Sequence, residues 1–196
     1  MAKYKSNKFT KKQQAPVKKE VKEGSRSIWE YSVTLKSDLC ANSGYSYSGL
    51  IDNDCCYDEV GIPYIPSRRI KGVMREAAEM IIPDKDKILR LFGDAGMQKN
   101  EGFIIEDAYP EEYKEMRGYL LQQRKDDELK AFITPQNVLS VFTTVKAQTK
   151  LVDGVADDQT LRYTRVVNQY DPFAEKKEQK ELVFKRKSRK FRNQLA

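Results

Sequence analysis

Pro63 to Glu79, reading PYIPSRRIKGVMREAAE, gathers most of the chemistry that this chain can direct at an anion. Two prolines stiffen an extended approach, Arg68, Arg69 and Lys71 follow, Gly72 comes next, and a helix-forming run then begins. Ser67 is placed to cap that helix. At a helix start the free backbone N–H groups and the positive end of the dipole favour a negative charge, and nearby cations add charge-assisted bonds. Lys71, Gly72 and Arg75 stand where such an anion would sit. The plainer alternative is a solvated helix start in which Arg75 pairs with Glu79 at i,i+4. Taken alone, the residues favour that plainer alternative.

Other chemistries are closed off. The chain has no histidine, which removes every His-based triad, dyad and general-acid scheme together with the commonest metal ligand. Its three cysteines, Cys40, Cys55 and Cys56, form no CxxC pair, so neither a disulfide framework nor a zinc knuckle is supported. They read as small buried hydrophobes; zinc held by Cys55, Cys56 and acidic neighbours has little to support it. The net charge of +7 is unevenly spread. Residues 1–26 hold nine Lys/Arg against two Glu, net +7, and residues 172–196 hold nine against three Glu, net +6, which leaves the middle at −6. Basic ends on a mildly acidic body are more often solvated arms than nucleic-acid grips.

The elements that must position these residues follow from periodicity. Residues 1–26 are Lys-rich and aperiodic, hence expected to be a disordered basic tail. SIWEYSVTLKSD (27–38) alternates as a half-buried strand, and a Ser/Gly/Tyr loop, ANSGYSYSG, comes after it. Val73, Met74, Ala77, Ala78, Ile81 and Ile82 recur at helical spacing until Pro83 stops the helix. DKDKILRLFGD predicts a short helix ended by Gly93, GFIIEDAY a strand, and 110–131 a charged loop with one or two helical turns. FITPQNVLSVFTTVKAQTKL reads as one or two strands, VDGVADDQ as a turn-rich tip and TLRYTRVVNQY as a returning strand; after Phe173 the core pattern is lost. The order predicts an α+β sheet with helices on one face, in the manner of a ferredoxin-like (RRM-like) half-fold with a large hairpin inserted. No apolar run can span a membrane, and MAKYKSNKFTKK has no apolar signal core, so a cytoplasmic protein is expected.

GIPYIPSRRIKGVMREAAE resembles the Pro-Gly-Ser-Ser-Leu-Lys-Gly-x-x-Arg segment of the RAMP superfamily, the RNA-binding backbone subunits of type III CRISPR effector complexes. SGLIDNDCCYDE occupies the place of the family's acidic loop, LRLFGD followed by GFIIEDAY resembles its Phe-Gly and Asp-Ala pair, and VFTTVKAQTKLVDGVADDQTLRYTRVV is similar to its hairpin thumb. The resemblance runs from Ile28 to Phe173, which makes 27–173 an RNA-binding RAMP-like domain and 174–196 a basic tail or linker. Ser67 stands where the family has Gly, and Arg68 and Arg69 where it has two serines. Losing that Gly narrows the backbone's freedom to wrap an anion, and two guanidiniums can offset this by contacting phosphate. Where the family continues with the second half of its sheet, this chain has a Lys-rich segment. Another chain completing the fold, a fused or split protein, and strands hidden in the tail are the three alternatives.

The resemblance implies that Ser67, Arg68, Arg69, Lys71, Gly72 and Arg75 grip the backbone of a guide crRNA. It implies that Asp52 lies in the loop where members that cut target RNA keep an aspartate, with Asp54 and Asp58 as alternatives one alignment slip away. The chemistry would be attack of a ribose 2′-OH on its neighbouring phosphate, aided by Mg²⁺ at Asp52. The plainer reading of DND is an Asx-turn in an exposed loop. On the hairpin 142–167, Leu161, Arg162 and Tyr163 would contact RNA, an apolar or aromatic side chain wedging between bases; core alternation explains Leu161 and Tyr163 equally well. The expected partners are guide crRNA, target RNA and other RAMP-type subunits. Two further readings stand beside this one: a non-catalytic RNA-binding scaffold of the same fold, and a basic-tailed RNA-binding protein unrelated to CRISPR.

Overall fold

The computed structural model describes residues 28–44, 46, 50–93, 103–174 and 180–190. The expected disordered tail, 1–26, lies outside the described residues, as do several positions of the tyrosine loop. In chain order the elements are β1 (Ile28–Thr34), α1 (Ser67–Ile81), α2 (Lys85–Phe92), β2 (Phe103–Ile104), β3 (Tyr109–Pro110), α3 (Tyr113–Gln123) and α4 (Asp127–Lys130). Then follow α5 (Pro135–Phe142), β4 (Thr143–Gln148), β5 (Leu151–Val152), β6 (Val155–Ala156), β7 (Arg162–Val167) and β8 (Val183–Lys190).

β8 is the centre of the main sheet. β1 lies antiparallel along one side of it, from Ile28 opposite Arg189 to Thr34 opposite Val183. β2 and β3 lie antiparallel along the other side. The basic tail or linker expected over 174–196 is therefore corrected for this stretch. Leu182 and Phe184 are buried, while Lys185 is exposed and Arg186 half-buried, positions that tolerate long aliphatic stems. The basic segment thus contributes a strand to the sheet.

Two other expectations change. Residues 135–142 form a helix rather than a strand, because Thr134 caps it through Oγ1, which accepts the Asn137 N–H at 3.2 Å, and Pro135 opens its first turn. The helix turns Val138, Leu139 and Phe142 inward together. Residues 113–123, within the stretch expected as a charged loop with one or two helical turns, form three turns of helix. The chain is thus α+β with antiparallel sheets.

One core cluster joins Leu35, Cys55, Ile65, Ala108, Leu139, Val167, Leu182 and Phe184. A second joins Val60, Ile62, Val138 and Phe142. Gly61 makes the second possible: its φ is +99°, and a Cβ there would meet the Pro135 carbonyl oxygen at 2.1 Å. The hairpin β4–β7 leaves the body as a separate two-stranded ribbon with β5–β6 beyond it. Asp153 and Gly154, with φ 51° and 83°, make the two-residue turn at its tip. Among the described residues no helix is long and apolar enough to cross a membrane.

Candidate nucleic-acid interface

The extended Pro63–Pro66 approach is held by reciprocal backbone bonds between Ile65 and Ala108, at 2.8 and 2.9 Å. The helix α1 begins at Ser67, and its N-cap is Pro66 rather than Ser67. The cap is supplied from a distance: the Asp107 carboxylate accepts the Ser67 N–H at 2.7 Å. That carboxylate already satisfies the start of the helix, so the cations beside it are what remains for a further anion.

They are not equally free. Arg68 is exposed and Lys71 half-buried, and neither makes an ion pair among the described residues. The guanidinium of Arg69 donates to the Asn42 carbonyl at 3.3 Å. Arg75 follows the plainer alternative: it pairs with Glu79 at 2.9 Å and donates to the Gly93 carbonyl at 3.1 Å, tying α1 to the end of α2. Gly72 is open, with nothing within 4 Å of where a Cβ would lie. No residue of α1 is buried, and Val73, Met74 and Ile81 are exposed, so the periodic face does not enter the core; only Ile70 packs on it.

The three aspartates separate cleanly. Asp54 is buried and both its oxygens accept from Arg165 at 3.1 Å, while Oδ1 also takes the Cys55 N–H at 2.9 Å. Asp58 organises the turn before Gly61: Oδ1 accepts the N–H groups of Val60 and Ile62 and Oδ2 the hydroxyl of Tyr113. Asp54 is thus buried against Arg165, and the half-buried Asp58 is bonded within its own turn and to Tyr113. Asp52 is exposed. Its Oδ2 accepts the Tyr163 N–H at 2.7 Å, its own N–H donates to the Tyr163 carbonyl at 2.9 Å, and Oδ1 makes no hydrogen bond among the described residues.

These bonds seat the acidic loop on the hairpin. Asn53 runs parallel to Thr164 of β7, with the Arg165 N–H donating to the Asn53 carbonyl. The Asn53 amide donates to the Thr164 hydroxyl at 3.3 Å, and its Oδ1 accepts from Asn42 at 2.9 Å. A continuous chain, Arg69–Asn42–Asn53–Thr164, thus joins the cationic helix start, the acidic loop and the base of the hairpin. Sequence reasoning missed Asn42 and Asn53. Both are asparagines in loops, the residues that bond backbone at short range, and nothing in their spacing pairs them with each other.

On β7 the inner residues Thr164, Val166 and Val167 are buried, whereas Leu161 and Tyr163 are 57% and 42% exposed. Core alternation is therefore excluded for those two. Arg162 is exposed as well. At the base, the Lys146 ammonium and the Gln169 N–H hold the Asp38 carboxyl below its ordinary range. Of the cysteines, burial pushes the Cys55 thiol up to about 12, while Cys40 is exposed, contrary to the expectation that all three are buried. No group of three or more His, Cys, Asp or Glu able to hold a metal ion occurs among the described residues.

A family model described as the RAMP superfamily matches residues 55–196. Among solved structures, a chain of "Cryo-EM structure of the Type III-B Cmr-beta bound to cognate target RNA" is similar at a TM-score of 0.58 and 12% identity, covering 86% of this chain and 85% of that one. At that identity the likeness is one of fold. No curated protein matches.

Proposed function

The chain belongs to the RAMP superfamily, and on that premise we propose that it is a backbone subunit of a type III CRISPR effector complex, binding guide crRNA and using Asp52 to cut the paired target RNA. The observation that supports this reading is the Arg69–Asn42–Asn53–Thr164 chain, which links the cationic start of α1 to the acidic loop beside Asp52 and to the base of the hairpin. The similar structure is named as a type III-B complex bound to target RNA, which supports the same assignment. In this reading the fold is ferredoxin-like with β8 completing its sheet, and the hairpin is a thumb.

Arg68, Arg69 and Lys71 hold guide phosphates, and Gly72 lets the sugar-phosphate chain approach α1. Ser67 lends its place in the turn and Arg75 braces the helix from behind. Leu161 and Tyr163 supply the wedge that unstacks bases at the thumb, with Arg162 on phosphate. A kinked target strand brings a 2′-hydroxyl in line with its own phosphate. Asp52 Oδ1 accepts that proton as the 2′-oxygen attacks phosphorus, and the P–O5′ bond breaks with the leaving 5′-oxygen taking a proton from water, giving a 2′,3′-cyclic phosphate and a free 5′-hydroxyl. Asp52 is also the residue that would hold Mg²⁺, which supplies charge neutralisation at the phosphate. A single carboxylate fits an ion that keeps several waters and takes its other ligands from RNA. The partners are guide crRNA, target RNA and other RAMP-type subunits.

One observation favours the scaffold reading instead: Asp52 already accepts the Tyr163 N–H, so one of its carboxylate oxygens is engaged within the chain's own fold. Cleavage of guide-complementary RNA by the assembled complex in Mg²⁺ decides between them. Asp52→Ala is expected to abolish cutting and spare guide binding; equal cutting by that variant excludes Asp52, and an unaltered complex that does not cut is a scaffold. Arg68→Glu with Lys71→Glu is expected to weaken guide binding and flatten its salt dependence. Unchanged binding overturns the grip.

A further inference from the structure

Away from the RNA-facing surface, α3, α5, β3 and the approach to β8 enclose a groove of about 480 Å³, within the range of sites that take a few side chains or a small ligand. Its floor is apolar, formed by Ile62, Met116, Leu120, Val138, Phe142 and Leu182. Tyr119, Val141 and Phe173 at its mouth are exposed. Its rim is acidic: Glu111, Glu112, Glu115, Asp171 and Glu181 line it against one cation among the described residues, Lys180. Lys36 and Lys185 already pair with Glu181 and Glu111. Glu112 and Glu115 make no ion pair among the described residues. The connecting residues 175–179, EKKEQ, add two Lys and two Glu and so no net charge.

An apolar floor under an acidic rim that is only partly compensated fits a basic segment carrying aromatic anchors. Residues 1–19 of this chain, MAKYKSNKFTKKQQAPVKK, have that chemistry: seven Lys, no acid, and Tyr4 and Phe9 spaced among the lysines. We infer that this groove receives the chain's own N-terminal segment, with Tyr4 and Phe9 on the floor and lysines along the rim. Reach permits it. Val183, a lining residue, pairs with Thr34, so the groove lies at that end of β1 and about 20 Å from Ile28. The stretch between Phe9 and Ile28 can extend roughly 60 Å. Tethering raises the local concentration of the segment to about the mM range, which favours it over a separate copy. The inference is independent of whether the complex cuts RNA.

The test uses the full chain with Val141→p-benzoylphenylalanine at the mouth of the groove, prepared as an equal mixture of ¹⁴N- and ¹⁵N-labelled copies. Illumination is expected to join position 141 to the segment containing Tyr4 and Phe9, both peptides carrying the same isotope. Glu112→Lys with Glu115→Lys should cut the yield about tenfold, the change that follows from ~1.4 kcal/mol of lost binding. Tyr4→Ser with Phe9→Ser alters the segment instead of the groove and should lower the yield as well. Crosslinks to another part of the chain, crosslinks of mixed isotope, no crosslink, or a yield indifferent to both double variants would each overturn the inference.

Discussion

Gly72→Ala separates what helix α1 needs for itself from what is laid across it. A Cβ at position 72 meets nothing within 4 Å, so the chain has no steric reason for glycine there. It nevertheless gives up about 0.8–1 kcal/mol of helix propensity relative to alanine in the second turn. For a domain of this size, recovering that energy raises Tm by about 2–4 °C. On the helix surface Gly72 stands one turn beyond Arg68 and Arg69, a flat spot next to cations. If a phosphate chain uses it, the added methyl group lifts the ligand from those guanidiniums. A hydrogen bond to a charged group contributes about 1.5–3 kcal/mol, so spoiling one lowers guide affinity roughly tenfold or more. Thermal unfolding and RNA binding by fluorescence anisotropy, on the same preparations, read the two effects separately. The expected outcome is a more stable protein that binds guide RNA less well. Higher Tm with unchanged affinity would refute the close approach at α1, and a lower Tm would refute the open site on which the reasoning stands.

Two further outcomes test the site's foundations. Asp54→Ala leaves Arg165 buried without its carboxylate and should cost about 3–5 kcal/mol, whereas Asp52→Ala at the exposed neighbouring position should cost less than about 1 kcal/mol; urea unfolding distinguishes them. The Asp38 carboxyl titrates below its ordinary value of 3.8 because of Lys146 and the Gln169 N–H, so its contribution is present above that value and lost as pH falls through the lower folded value. Hydrogen exchange at the hairpin base should accelerate on the acid side of 3.8, and Asp38→Asn should already show faster exchange at neutral pH; a base whose protection ignores both changes would contradict this anchoring.

What the sequence disclosed follows the reach of its signals. Alternation in IWEYSVT and RYTRVV marks two strands, and Gly93 marks the end of α2, because these patterns are local. Propensity misled at 135–142, where β-branched and aromatic residues occur but a Thr-Pro pair starts a helix whose buried side needs them. Charge misled at β8, where a strand at the centre of the sheet looks like a tail because its apolar residues are confined to its start, around the buried Leu182 and Phe184, with cations after them. The separate roles of Asp52, Asp54 and Asp58 could not be ranked from DND and its neighbours. Their partners, Tyr163, Arg165 and Tyr113, lie 55 to 111 residues away and are brought in only by the fold.

The same long-range bonds give the proposed mechanism a mechanical consequence. β4 is exposed over nearly its whole length, and from Leu151 to Tyr163 the hairpin buries little, so its outer part has few contacts to resist bending. Its base is different: the Asp54–Arg165 pair, buried Thr164 and Val166, and the Asn53 bridge fix β7 to the acidic loop. Asp52 sits at the boundary, bonded in both directions to the backbone of Tyr163, whose side chain is the innermost of the exposed pair. A base stacked on Tyr163 would therefore bear directly on the strand that holds the carboxylate, while motion further out would be absorbed by the ribbon. On the proposed mechanism the register between a displaced base and Asp52 would be set within one residue, by the Tyr163 N–H on the Asp52 carboxylate and the Asp52 N–H on the Tyr163 carbonyl, and would not depend on how the tip beyond Leu151 is bent.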